Sequence, residues 1–210
     1  MRASSGFAVG LALTIVIGGS TEVLAHRSAD YLQAARIEVE PDRILMTLDL
    51  TPGVAVAESL MADVDHDRDG VLSEEEQRAY ARQMVGALSV ECDERPLEGQ
   101  LVSWTFPEPS AFRRGEGTIR LQIQATLPRV SAGSHQLFFR NTHLAGHSAY
   151  LANALVPESP LVKVTAQRRD SDQSELTIEY TVQAHSPGAA SAWLLSSVVV
   201  ACLVVRFSVT

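Results

Sequence analysis

The chain predicts a mainly β fold: an antiparallel β-sandwich with an inserted helix–loop–helix and a C-terminal transmembrane helix. Three observations carry that expectation. Short β-rich runs recur from residue 31 to residue 182 with Gly, Pro, Asn and Asp turns between them, the pattern of a sandwich. One acidic stretch, 63–76, interrupts the series and is flanked by apolar residues at helical spacing. Residues 191–210 turn apolar, at the lower limit of length for a spanning helix.

The amino end reads as a targeting segment. Arg2 supplies a positive start, residues 7–17 an apolar core, and Val23, Leu24 and Ala25 the small-residue end of a signal peptide covering 1–25. Its apolar run is short for a membrane span, so cleavage exposing His26 is expected, with an uncleaved anchor as the alternative.

An extracytoplasmic domain at 26–183 follows. Residues 31–40 and 44–50 are β-rich and separated by Pro41, Asp42 and Arg43, which predicts a hairpin. Further strands are expected at 88–92, 100–106, 118–126, 136–140, 150–156, 161–167 and 174–182, with a turn at 93–96. Residues 118–126 alternate apolar and polar residues with period two, as a half-buried strand does. A small-residue linker at 184–190 leads to a membrane anchor at 191–210, with Trp193 fitting the outer interface and Arg206 the cytoplasmic side. The β-branched run 198–200 also suits a buried strand, which is the alternative for that segment.

The insertion, about 53–88, holds the chemistry. Gly70 as sixth residue of a twelve-residue loop puts Asp65, Asp67 and Asp69 at positions one, three and five. Val71 then offers its carbonyl at seven, Ser73 sits at nine and Glu76 closes the loop at twelve. Calcium requires such a set, because it takes about six to eight oxygens and several short carboxylates must converge from one sharp turn. Gly70 supplies the backbone freedom of that turn. Leu60, Met61 and Val64 form the inner side of an entering helix, and Leu72, Tyr80, Met84 and Leu88 recur at multiples of four in an exiting one. Ser73 and Glu76 also read as a capping box that starts the second helix.

These residues resemble the EF-hand calcium loop, with Leu72 at its apolar eighth position. The resemblance implies Ca2+ as ligand, bound through Asp65, Asp67, Asp69, Val71, Ser73 and Glu76; a solvated acidic turn is the alternative. The sequence holds one such loop, so the site must be propped by the rest of the domain or by a second chain, or bind weakly. An unpaired extracytoplasmic site belongs at the loose end of the affinity range, on the order of 10⁻⁴ to 10⁻³ M.

Other chemistry is thinner. A formal net charge of -8 argues against a nucleic-acid partner, which needs a basic face. Cys92 and Cys202 lie in different surroundings and read as buried or lipid-facing thiols rather than a bridge, and no Cys/His zinc spacing exists. An exposed His26 could chelate copper or nickel through its amine and imidazole, a possible second metal site. His143 and His147 are four residues apart but in a loop-like setting, and read as surface histidines. Arg113 with Arg114, and Arg168 with Arg169, read as solvated turn residues. No Gly-x-Ser-x-Gly setting or Cys/His arrangement supports catalysis, so no enzyme is expected.

Beyond the loop, residues 26–43, 49–54 and 153–157 resemble a bacterial extracytoplasmic domain found ahead of membrane regions similar to nickel permeases of the hydrogenase and urease accessory type. That similarity covers roughly 26–182. It implies a place in the cell envelope, on the periplasmic face of the inner membrane, and a link to metal homeostasis. This chain carries one apolar segment after the domain where those proteins carry several. The expectation is therefore a calcium-binding, membrane-anchored interaction module with a membrane or metal-transport protein as possible partner. The rivals are an accessory domain for nickel or copper handling and the truncated ectodomain of a transporter.

Overall fold

β1 (Tyr31–Val39) and β2 (Arg43–Pro52) form the expected hairpin, with Val39 opposite Ile44 and Tyr31 opposite Pro52. Tyr31, Gln33, Ala35, Ile37 and Val39 point inward from β1 and Ile44, Met46, Leu48 and Leu50 from β2, so the period-two pattern sets the face. The computed structural model describes residues 31–128 and 131–184. The signal peptide, His26, Cys202 and the membrane anchor lie outside the described residues. Among the described residues no helix is long and apolar enough to cross a membrane.

After β2 come α1 (Val54–Val64) and α2 (Glu74–Gly86), joined by the acidic loop, and then the remaining strands. These are β3 (Leu88–Cys92), β4 (Arg95–Pro96), β5 (Gly99–Thr105), β6 (Ile119–Thr126), β7 (Gly133–Asn141), β8 (Ser148–Ala154), β9 (Val162–Arg169) and β10 (Glu175–Val182). A short helix, α3 (Pro109–Arg113), lies between β5 and β6. The strands build two five-stranded sheets, ordered β5-β6-β2-β1-β8 and β4-β3-β7-β10-β9. Their inner faces meet in one apolar core that also takes Leu60, Met61, Val64, Leu72, Tyr80 and Met84 from the insertion and Phe112 from α3. The molecule is mainly β, with two sheets as a sandwich requires.

Four details depart from the sequence reading. The sandwich is not wholly antiparallel: β8 runs parallel to β1, from Tyr31 opposite Ser148 to Ile37 opposite Ala154. The chain leaves β7 in one sheet, turns through 142–147 and enters the other sheet beside β1. Side-chain alternation carries no information about strand direction, so the pairing was not legible. Second, Arg95 and Pro96 pair as β4, because Asp93 and Glu94 alone make the turn, with φ of 48° and 64°. Third, the helix ends at Gly86 and Leu88 opens β3. Fourth, Arg168 and Arg169 lie in β9 rather than in a turn. Arg168 pairs with Glu179, and Arg169 donates to the Ala152 carbonyl at 2.6 Å. Gln167 accepts from the Ala154 N–H, so side chains of β9 cover the outer edge of β8 and blunt it against further pairing.

Candidate metal centre

Asp65 closes α1, its N–H donating to the Met61 carbonyl, and is only 4% exposed. The loop then folds back on itself through its own carboxylates. Oδ2 of Asp65 accepts from the Gly70 N–H at 3.0 Å, Asp67 Oδ1 from the Asp69 N–H at 3.1 Å, and Asp69 Oδ1 from the Val71 N–H at 2.8 Å. Short side chains can return to nearby amides in this way and so replace helix bonds with a tight turn. Arg68 and Gly70 both take left-handed backbone, at φ of 62° and 84°.

Glu76 locks the far end. Its Oε2 accepts from the backbone and hydroxyl of Ser73 at 2.9 and 2.7 Å, while the Glu76 N–H donates to Ser73 Oγ, completing the capping box. Its Oε1 reaches across the loop to the N–H groups of His66 and Asp67 at 2.8 and 3.4 Å. The Ser73 hydroxyl and backbone, helped by the amides of Asp67 and His66, hold the Glu76 carboxyl down to about 2. Leu72 is buried in the core and its carbonyl accepts from Gln77 Nε2 at 2.8 Å, which pins the loop from below.

Asp65, Asp67 and Glu76 bring one ligand oxygen each within 4.8 Å of one another, a group that could hold a metal ion. Asp65 Oδ1 is buried and has no hydrogen-bond partner, the one such side-chain atom among the described residues. A buried carboxylate oxygen left bare costs free energy, which a cation bound beside it would offset. Of the other positions expected to ligate, Asp69 spends an oxygen on Val71, Ser73 faces Glu76, and Val71 is exposed on the rim. A groove of about 490 Å³ opens beside the cluster between α1 and α2, lined by Asp63, His66, Asp67, Glu76, Tyr80 and Gln83.

No protein-family model, curated protein or solved structure matches this chain.

Two residues have neighbours that the sequence does not announce. Arg113, expected as a solvated turn residue, is exposed but lies in α3, with Nη2 at 3.6 Å from Asp65 Oδ2 and Nε at 3.9 Å from Glu58 Oε2. Its only sequence signal was the basic pair it forms with Arg114, and no spacing rule relates that pair to the loop. His143, expected at the surface, is buried at 6% exposure, while His147 is exposed. His143 Nε2 lies 3.4 Å from the Tyr80 hydroxyl, and its ring packs edge-on against Tyr31 and Tyr80. Burial lowers the His143 pKa, against the opposing pull of Asp63. Cys92 is a buried free thiol, with Sγ 3.2 Å from the Tyr180 hydroxyl, and burial raises its pKa.

Proposed function

We propose that this protein is a calcium-binding module of the cell envelope, an EF-hand-like loop carried on a β-sandwich and anchored in the inner membrane by residues 191–210. The observation that carries the reading is the bare, buried Asp65 Oδ1, on a residue whose carboxylate clusters with those of Asp67 and Glu76. An all-oxygen set from short carboxylates, a carbonyl and a hydroxyl suits a hard cation, and the flexible loop favours calcium over the stricter octahedron of magnesium. Asp65, Asp67, Asp69 and Glu76 would ligate through side chains, Val71 through its carbonyl, and Ser73 through a water. The amino-terminal segment supports placing the domain outside the cytoplasm.

Leu72, Tyr80 and Met84 belong to the sandwich core. Opening the two helices would tear that core, so the ion acts as a constitutive brace of the insertion rather than a trigger of its opening. The nickel or copper reading rests on His26, outside the described residues. The testing experiment is calorimetric titration of calcium into residues 26–183, beside Glu76→Gln and Asp65→Asn variants. Saturable binding with a Kd on the order of 10⁻⁴ to 10⁻³ M, weakened strongly in both variants, is expected. An absence of heat at millimolar calcium would reject the reading and leave copper or nickel at the amino terminus as the next titration.

A further inference from the structure

We propose that Arg113, held in place by α3, sets the calcium affinity of the loop; the inference rests on the calcium reading above. The residues around α3 fix where its guanidinium goes. Phe112 is fully buried in the common core, so its neighbour Arg113 projects from a rooted turn. Behind it, the N–H groups of Gly115 and Glu116 donate to the carbonyls of Phe112 and Ala111 at 2.9 Å. Gly115 takes φ of 69°, and a Cβ there would lie 2.8 Å from the backbone nitrogen of Val54, the first residue of α1. The segment thus grips the entering helix at its start and reaches the loop at its end.

At the loop, Arg113 divides the work of the Asp65 carboxylate. Oδ2 faces the Arg113 guanidinium and the Gly70 N–H, while Oδ1 is left bare. Two opposed effects follow. Arg113 helps to orient the carboxylate, which favours the ion, but it also holds a positive charge one carboxylate away from a divalent cation, which opposes it. The Gly70 N–H already fixes Oδ2 at 3.0 Å, a shorter contact than the 3.6 Å of Arg113. Orientation therefore survives without the arginine and repulsion does not, so repulsion decides the sign. Conversely, when the loop holds no ion, the same guanidinium offsets the mutual repulsion of its carboxylates. Arg113 steadies the empty loop and loosens the filled one.

The test uses the full-length protein in detergent, with Arg113→Gln and Arg113→Lys variants. Calcium affinity is measured by calorimetry at low and high salt, and thermal midpoints are measured with the metal chelated. Arg113→Gln is expected to bind calcium about three- to tenfold more tightly at low ionic strength, with the gain shrinking at about 0.5 M salt. Its chelated midpoint should fall below that of the parent. Arg113→Lys, which keeps the charge, should stay within about twofold of the parent. A purely structural role would lower stability and weaken binding together. Parent-like or weaker binding by Arg113→Gln, or equal tightening by Arg113→Lys, overturns the role of Arg113 and leaves the calcium reading intact. A parent that binds no calcium overturns both.

Discussion

The hydroxyls of Tyr31 and Tyr80 lie 3.0 Å apart, joining the first strand of the sandwich to the helix that leaves the acidic loop. The pair is buried, and His143 Nε2 sits 3.4 Å from the Tyr80 oxygen. From there the network continues through the His143 N–H, which donates to Asn141 Oδ1, and the Asn141 amide, which donates to Gln33 Oε1. Gln33 in turn donates to the His143 carbonyl and to Ser148 Oγ. Side chains from β1, α2, β7 and β8 therefore share one satisfied polar cluster inside an apolar core. Such a cluster specifies a single arrangement, because every alternative strands a buried donor. Burial raises the Tyr80 hydroxyl to about 12, so it stays protonated and able to donate across the physiological range.

Tyr80→Phe should accordingly destabilise the fold by about 1–3 kcal/mol, since it strips the Tyr31 hydroxyl and His143 of a shared partner. Urea unfolding followed by circular dichroism measures it. Tyr31→Phe combined with Tyr80→Phe should cost less than the sum of the two single changes, because the second removal deletes a group the first left unpaired. Simple additivity would mean that the two hydroxyls do not interact.

Gly70 and Gly115 both take left-handed backbone, yet alanine should be tolerated very differently at the two. At Gly70 an added Cβ meets nothing closer than Arg113 Nη2 at 3.9 Å, so Gly70→Ala should cost only the conformational penalty of about 1–2 kcal/mol. At Gly115 the same atom would press on the Val54 backbone at 2.8 Å, and α1 must shift to admit it. Gly115→Ala should lower the thermal midpoint more than Gly70→Ala does. The reverse order would refute the grip of this segment on α1.

Much of this architecture was legible because burial follows simple periods. Residues 118–126 alternate, and β6 buries Ile119, Leu121, Ile123 and Ala125 on one face. Ser73 three places before Glu76 announced the start of α2, and the capping box is there. Asp65, Asp67 and Glu76 were readable as a group because one short loop holds all three. The parallel partnership of β1 and β8 was not readable, since strand direction depends on how the 142–147 connection turns between sheets. Arg113 escaped for a related reason: it reaches Asp65 only through the docking of Phe112, a tertiary event with no local signature. His143 escaped because a polar residue in a Gly- and Ser-containing turn reads as solvated until Tyr31 and Tyr80 are known to enclose it.

His135 should give the fold a measurable pH dependence. Its Nδ1 lies 2.7 Å from Asp93 Oδ2 and its Nε2 2.8 Å from the Ser131 carbonyl, two partners that can only accept. Both ring nitrogens must therefore donate, which defines a charged imidazolium. Burial disfavours that charge, but the bonds to Asp93 and Ser131 outweigh it and raise the pKa above the ordinary 6.5. Burial likewise pushes Asp93 up, and the bond from His135 with the Gln136 N–H outweighs it, so its carboxyl sits below the usual 3.8.

The sign of the dependence follows from linkage. The raised His135 contributes stability that is whole below its unfolded pKa and fades as pH rises through its folded value. The depressed Asp93 contributes above its unfolded pKa and fades as pH falls through its folded value. The pair stabilises most between about pH 4 and 6.5. Thermal midpoints should drop from pH 6 to pH 9 in the parent, and the drop should be shallower in His135→Gln. A His135 ring that titrates below 6.5 by NMR would contradict the doubly donating geometry.

Calcium removal should separate a brace from a switch. An ion that binds only the folded chain stabilises it by RT ln(1 + [L]/Kd), or about 1.4 kcal/mol at tenfold excess over Kd. For a domain of this size that corresponds to a rise of about 3–6 °C in thermal midpoint. Addition of calcium to chelated protein should produce such a rise with no change in far-ultraviolet circular dichroism, because α2 is already capped by Ser73 and Glu76 and both helices are rooted in the core through Leu60, Leu72, Tyr80 and Met84. Nor should it expose apolar surface to a hydrophobic dye, since the core side of both helices is shared with the sheets. Glu76→Gln should remove the calcium-dependent rise. A gain of helix or of dye binding on calcium addition would instead mean that the loop moves the helices against the sandwich, and the brace would give way to a trigger.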